Sequence, residues 1–172
     1  MHAAWTLALA LVAATPASPS TPSTPERPDV KAHPSCRDCG MDREKFAATR
    51  MRITWEDGSS VGLCSLRCAA VELATALDRA PAAIEVADAT TGELVPAESA
   101  VWVIGGAKPG VMTARAKWAF ADRARADAFV REHGGTVATF DEAVRAAFAD
   151  LYDDTRLARD RRRAKRAAGT PR

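Results

Sequence analysis

Four cysteines form two close pairs in the first half of this chain. Cys36 and Cys39 are separated by two residues, and Cys64 and Cys68 by three, with 24 residues between the pairs. Thiolate sulfur is a preferred ligand of zinc and of Cu(I), and two such pairs that meet in space can surround one ion. The spacing therefore predicts a metal site built from four sulfur atoms.

The segments around the cysteines indicate how the pairs meet. Residues 51–55 alternate apolar and polar side chains, 56–59 have the composition of a turn, and 61–64 resume a strand, which predicts a hairpin. The first pair sits on a tight turn whose Gly40 can take a positive φ. The second pair spans a strand end and the first turn of a helix that Ser65 can cap. We expect the positive N-terminus of this helix to lower the thiol pKa values.

Two methionines bear on the choice of metal. Met41 follows Cys39 by two residues, and Met112 ends a glycine-rich loop over residues 105–112. Thioether sulfur favours Cu(I), so both methionines are candidate Cu(I) ligands beside the four cysteines. Three alternatives stay open on the residues alone: methionines that only fill the core, a closed structural zinc site, and disulfides formed in an oxidising compartment.

The hairpin begins a module with the order strand, strand, helix, strand. Its helix is followed by Pro81, which should stop it, and then by a short strand over residues 84–86. The inner face of the helix is expected to carry Leu66, Ala70, Leu73 and Leu77.

A second module repeats this order. Its predicted strands cover residues 101–104, 117–120 and 136–139. Asp122 can cap the helix between the last two strands, and Gly134 and Gly135 can end it. The inner face of this helix should include Ala128 and Phe129.

A final helix is predicted from about Asp141. One side of it is expected to carry Phe140, Val144, Phe148 and Leu151. Two mixed modules and a terminal helix indicate an α+β fold, with a metal-binding domain over residues 35–153.

The first 34 residues predict export. The apolar run over residues 3–14 is too short to span a bilayer and is typical of a secretory signal, here assigned to 1–17. The proline-rich segment 18–34 predicts an extended linker. No cysteine directly follows the apolar run, so a lipid anchor is not evident. The alternative is an alanine-rich start on a cytoplasmic protein.

The charge is concentrated at the other end. Residues 156–172 carry eight Lys or Arg and one acid, so a chain of net charge +2 has a mildly acidic domain and a basic tail over 154–172. We expect the tail to be a solvated helical end, or to contact anionic lipid weakly or an acidic partner. Nucleic acid is not an expected partner of an exported protein. Asp153 and Asp154 are expected on a solvated face, and no catalytic motif indicates an enzyme.

The segment Cys36–Met41, with the sequence Cys-Arg-Asp-Cys-Gly-Met, resembles the opening motif of NosL-type accessory proteins of nitrous oxide reductase. Supporting segments follow at residues 102–106, 109–112, 118–122, 133–135 and 140–142. The resemblance covers residues 36–147.

The resemblance implies a periplasmic Cu(I)-binding metallochaperone that helps to assemble the copper centres of nitrous oxide reductase or a related copper enzyme. It implies two small α+β modules related to organomercurial lyase, and it makes Cys36, Cys39, Met41 and Met112 the positions to examine as copper ligands. The partner would be the copper-accepting enzyme or its maturation machinery. The pair Cys64–Cys68 departs from this pattern and resembles the second pair of treble-clef modules. The alternative is therefore a zinc- or disulfide-stapled binding module without metal transfer.

Overall fold

Two antiparallel sheets and four α-helices make up the fold in the computed structural model, which describes residues 26–169. The helices are α1 Pro28–Ala32, α2 Leu66–Thr75, α3 Arg123–His133 and α4 Phe140–Ala167, and a 3₁₀ turn covers Ala47–Thr49. The strands are β1 Met51–Trp55, β2 Ser60–Leu63, β3 Pro81–Ala87, β4 Leu94–Pro96, β5 Val101–Ile104, β6 Lys117–Phe120 and β7 Thr136–Ala138. The predicted signal and the first part of the predicted linker lie outside the described residues.

The two modules share one topology. The first sheet has the order β2-β1-β3-β4 and the second has the order β6-β5-β7. In each, the first strand of the module lies in the centre and pairs antiparallel with the second and third. This confirms the α+β prediction and the twofold order of elements. The short edge strand β4 was not predicted.

The first sheet buries one face against α2. Met51, Ile53 and Trp55 are fully buried, while the residues between them are half-buried, as strand alternation requires. The prediction for Leu77 was wrong. Its side chain is 85% exposed because α2 ends at Thr75, two residues earlier. The strand predicted over 84–86 is longer than expected, since β3 begins at Pro81 itself.

The second sheet packs on α3 through aromatic side chains. Phe129 contacts Trp118 and Phe120, with ring centroids 5.7 and 5.1 Å apart. The Asp122 side chain accepts a hydrogen bond from the backbone N–H of Arg125 and caps α3, as predicted. Ala128 is exposed, contrary to prediction. The small residue that α3 buries is Ala126.

The last helix, α4, connects the two modules because it contacts both α2 and β5. It begins with a capping box in which Thr139 and Glu142 bond each other's backbone N–H groups. Phe148 is 42% exposed, contrary to prediction, and the apolar residues that α4 buries are Ala143 and Ala147. Small side chains there let the helix approach the sheet closely. Within residues 26–169, no helix is both long enough and apolar enough to cross a membrane.

The predicted linker ends earlier than expected. Residues 28–32 form α1, and Asp29 and Val30 are buried. Asp29 is ion-paired with Arg43 at 2.9 Å and with Arg50 at 2.8 Å. These two guanidinium groups offset the cost of burying the carboxylate, and they hold its pKa below the usual value despite burial. The folded domain therefore begins at α1 and not at residue 35.

Candidate metal centre

The first cysteine pair lies on a closed turn. The N–H of Cys36 donates to the carbonyl of Met41 at 2.8 Å, and the N–H of Gly40 donates to Cys36 at 2.9 Å. Gly40 has φ +74°, the conformation predicted for it. The N–H of Arg37 donates to the carbonyl of Gly62 and ties the turn to the end of β2. The hairpin thus places the first pair beside the second.

The second pair lies where the sequence predicts it. Cys64 directly follows β2, and Cys68 is in the first turn of α2. Ser65 occupies the N-cap position, but its side chain makes no capping hydrogen bond, contrary to expectation. Its hydroxyl lies 3.8 Å from the sulfur of Cys64. The backbone carbonyl of Ser65 accepts from the N–H of Cys68, which turns Cys68 towards the other sulfurs.

The four sulfur atoms form one cluster. All lie within 4.8 Å of one another, with Cys39 Sγ 3.5 Å and Cys68 Sγ 3.7 Å from Cys64 Sγ. Four thiolates around a tetrahedral ion, each about 2.3 Å from it, are about 3.8 Å apart. All four cysteines are free thiols. The donor set therefore fits a soft or borderline metal ion.

The thiols hold their protons unequally. Hydrogen bonds from Cys39, Cys64 and Cys68 lower the pKa of Cys36. For Cys39, the contact with Cys36 acts to raise the pKa, but hydrogen bonds from Cys64 and Cys68 outweigh it, and the net shift is downward. The pKa values of Cys64 and Cys68 are raised, because both give their hydrogen bonds to Cys36 and Cys39 and both are deeply buried. The expected lowering by the N-terminus of α2 is wrong for this pair, since neighbouring thiolates dominate.

One cysteine of the cluster, Cys39, lines a cavity. Cys36 is 2% exposed and Cys64 and Cys68 are fully buried, whereas Cys39 is half-buried. Cys39 lines a cavity of about 210 Å³. This cavity is here called the sulfur cavity. Its other lining residues are Met41, Met112, Asp154, Leu157, Ala158, Arg161 and Arg162. The structure thus brings both predicted methionines to the same cavity as Cys39.

Met112 has an unusual backbone. Its φ of +59° is the only positive value at a non-glycine position among residues 26–169. A bulky residue in the left-handed region costs on the order of 1–3 kcal/mol, and such strain concentrates at functional sites. The strained residue here is one whose thioether lines the sulfur cavity.

A buried arginine that was not predicted from the sequence holds together the segments that carry the cysteine cluster. Arg43 is fully buried and donates to the carbonyls of His33 at 2.7 Å, Met51 at 2.9 Å and Leu63 at 3.2 Å. It therefore joins α1, the first cysteine turn and both hairpin strands. The available signal was Gly62, since a glycine inside a strand indicates close approach of another group. A Cβ at that position would lie 2.5 Å from Arg43 Nη1.

The two histidines in the described part of the chain, His33 and His133, are not part of the cysteine cluster. His33 Nε2 is 3.0 Å from the hydroxyl of Ser60, and His133 packs edge-on against Phe129 in the second module. Asp154, expected on a solvated face, is only 2% exposed. It lies within α4, so the predicted boundary at residue 153 falls inside a continuous helix.

Comparison with protein families gives a match to the family model named NosL over residues 28–148. The chain belongs to the NosL family. The match begins at the first residue of α1, in agreement with the early start of the folded domain. Among curated proteins none matches significantly.

A solved structure shows the NosL-like fold directly. The chain is similar to the crystal structure of the copper chaperone NosL from Shewanella denitrificans, with a TM-score of 0.52 and 20% identity. The match covers 63% of this chain and 87% of that one. At this identity the likeness establishes the fold. The predicted resemblance to NosL is confirmed, and this NosL-family domain carries a four-cysteine cluster suited to binding metal.

Proposed function

We propose that this chain is an exported, periplasmic metallochaperone that binds Cu(I) as cargo and passes it to a copper-accepting partner. The observation that carries the proposal is the position of Cys39, which belongs to the four-sulfur cluster and also lines a cavity with Met41 and Met112. Thiolate and thioether sulfur together form a donor set that selects Cu(I). Membership of the NosL family, and a structural relative described as a copper chaperone, support it.

Transfer of a tightly held ion requires ligand exchange, and Cys39, the most exposed cysteine of the cluster, is the ligand best placed for it. Cys36 and Cys39 have lowered pKa values, which favours the thiolate form that binds Cu(I). Cys64 and Cys68 keep their protons until a cation arrives, because burial and neighbouring thiolates oppose their ionisation. A partner's ligand would approach Cys39 through the sulfur cavity, where the two methionines offer intermediate soft donors.

The charge at the cavity indicates the kind of partner. Arg161 and Arg162 line it, and residues 159–167 of α4 are exposed. Beyond Ala158 this helix has no large apolar side chain that could insert into lipid. We therefore propose that the basic end of α4 binds an acidic surface of a partner protein. This partner is nitrous oxide reductase, a related copper enzyme or its maturation machinery. The alternative is that the same basic residues make weak contact with an anionic membrane surface.

The second candidate is a structural zinc site. Three of the four cysteines are almost fully buried, and the sulfur spacing matches a closed tetrahedral site. Metal analysis and thiol counting on protein isolated from the exported compartment separate the two candidates. Tightly held zinc that Cu(I) does not displace, or two disulfides with no metal, would support a stapled module without metal transfer.

Anaerobic competition with a Cu(I) chelator tests copper binding. We expect Cys36→Ser/Cys39→Ser to abolish tight binding. Met41→Leu and Met112→Leu remove a thioether at nearly constant volume and should each weaken binding several-fold. Met51→Leu is the matched control, since Met51 is buried in β1 and does not line the cavity. Unchanged affinity in the double cysteine variant would refute the site.

A further inference from the structure

The loop that carries Met112 is fastened to α4 at two acidic residues one helical turn apart. Asp150 accepts hydrogen bonds from Arg115 at 2.7 Å and from Lys117 at 2.5 Å. Asp154 accepts one from the backbone N–H of Ala114 at 2.9 Å. Ala114 is two residues from Met112, so Asp154 holds the chain directly beside the strained residue.

The second carboxylate oxygen of Asp154 is left free. Asp154 Oδ2 is buried and has no hydrogen-bond partner in the described part of the chain, and no ion pair there includes Asp154. An unpaired buried carboxylate is costly, and such groups are retained where they have a use. The residue lines the sulfur cavity, where a cation would relieve that cost. Its neighbour Asp153 is exposed and faces Arg156.

The same stretch of α4 also contacts the cysteine cluster. Thr155 Oγ1 accepts a hydrogen bond from Arg67 at 3.1 Å, and the other terminal nitrogen of Arg67 lies 3.9 Å from Cys68 Sγ. Residues 150–155 therefore join the loop of the second module to the cysteine cluster of the first. Their position sets the separation between Met112 and the cysteines.

We propose that Asp154 is a positioning residue of the sulfur cavity. Its hydrogen bond to Ala114 holds Met112 in its left-handed conformation with the thioether at the cavity. Its free oxygen belongs to the one carboxylate among the residues that line the cavity, where it partly offsets the charge of Arg161 and Arg162 and favours a monovalent copper cation. The second statement rests on the proposed function, whereas the first concerns the metal-free protein.

The first experiment uses no metal. In protein labelled with ¹³C at the methionine methyl groups, Met112→Leu assigns the Met112 signal. Asp154→Ala should shift or broaden that signal and leave Met51 unchanged, while Asp154→Asn, which keeps an acceptor for Ala114, should preserve it. Asp154→Ser replaces the alanine variant if the latter is unfolded by circular dichroism. A folded Ala or Ser variant with an unchanged Met112 signal overturns the positioning role.

The second experiment measures Cu(I) affinity in a double-mutant cycle. Asp154→Ala should weaken binding about tenfold in the natural chain, and in Met112→Leu only by the smaller amount that loss of charge alone causes. Fully additive losses would overturn action through Met112. Asp154→Asn should weaken binding less, by loss of charge alone, and wild-type affinity there would overturn the charge role. Asp153→Ala is the matched control. If the natural chain binds no Cu(I), the proposed function is refuted. The positioning role of Asp154 is then still tested by the Met112 methyl signal of the metal-free protein.

Discussion

The sulfur atoms of Cys39 and Cys64 lie 3.5 Å apart, although 25 positions separate the two residues in the chain. The hairpin between them makes this approach, since β1 and β2 pair in register from Met51 opposite Leu63. Hydrogen bonding from Arg37 to Gly62 then fastens the first cysteine turn to β2. Local backbone hydrogen bonds thus assemble a cluster in which one sulfur faces the cavity.

Metal affinity is expected to rise with pH. Cys64 and Cys68 have raised pKa values in the metal-free cluster, so a metal that uses them must displace their protons. Each proton released gives about a tenfold gain in apparent affinity per pH unit. Chelator competition between about pH 6 and 8 and proton release measured in weakly buffered solution check this. An affinity independent of pH would mean that Cys64 and Cys68 do not bind the metal.

Reversal of charge at the cavity should slow metal transfer although it does not weaken metal binding. Arg161→Glu/Arg162→Glu places acids where the proposed partner is acidic, so association should slow about tenfold or more at low salt. Arg159→Glu/Arg166→Glu changes charge equally on the same helix at residues that do not line the cavity.

Stopped-flow transfer to a copper-accepting protein distinguishes the two pairs of arginines. Equal slowing by both variants would indicate an unspecific effect of net charge. Loss of binding to anionic vesicles with no change in transfer would assign the basic helix to a membrane surface.

A methyl group on Gly62 should strongly destabilise the fold. The added Cβ would lie 2.5 Å from both Arg43 Nη1 and His33 Cβ, and Arg43 is fully buried. We expect Gly62→Ala to cost about 2–3 kcal/mol, in the range of overpacking. Gly40→Ala is the comparison, because its Cβ meets nothing within 4 Å and only its φ of +74° is strained, at about 1 kcal/mol.

Thermal or denaturant unfolding of the metal-free proteins measures both glycine variants. Similar melting temperatures for Gly62→Ala and the natural chain would mean that Arg43 has room to move, which would contradict its role as a rigid support of the cluster.

Patterns of short range were sufficient to predict most elements and the cysteine cluster. Alternation over Met51–Trp55 and the cap at Asp122 were correct because each depends on neighbours in sequence. Leu77 and Phe148 were predicted as buried from helical periodicity alone. The prediction was wrong because periodicity does not reveal where a helix ends or which small residues it buries instead. The pattern of apolar residues in α4 does not show which of its faces packs on α2 and β5.

The electrostatic support of the site could not be predicted in the same way. Asp29 lies in a proline-rich segment and Asp154 beside another acid, so composition favours solvent for both. Each is buried by contacts with residues distant in the chain, Arg43 and Arg50 in one case and Ala114 in the other. Long-range hydrogen bonds of this kind leave no periodic trace.

The half-buried position of Cys39, beside three cysteines with almost no exposure, has a kinetic consequence. If Cu(I) is loaded and released through the sulfur cavity, as proposed, the copper donor and the copper acceptor must use that cavity in turn. The two should compete for the same face, so a large excess of acceptor slows reloading even as it speeds unloading. Turnover in a reconstituted relay would then pass through a maximum as the acceptor concentration is increased.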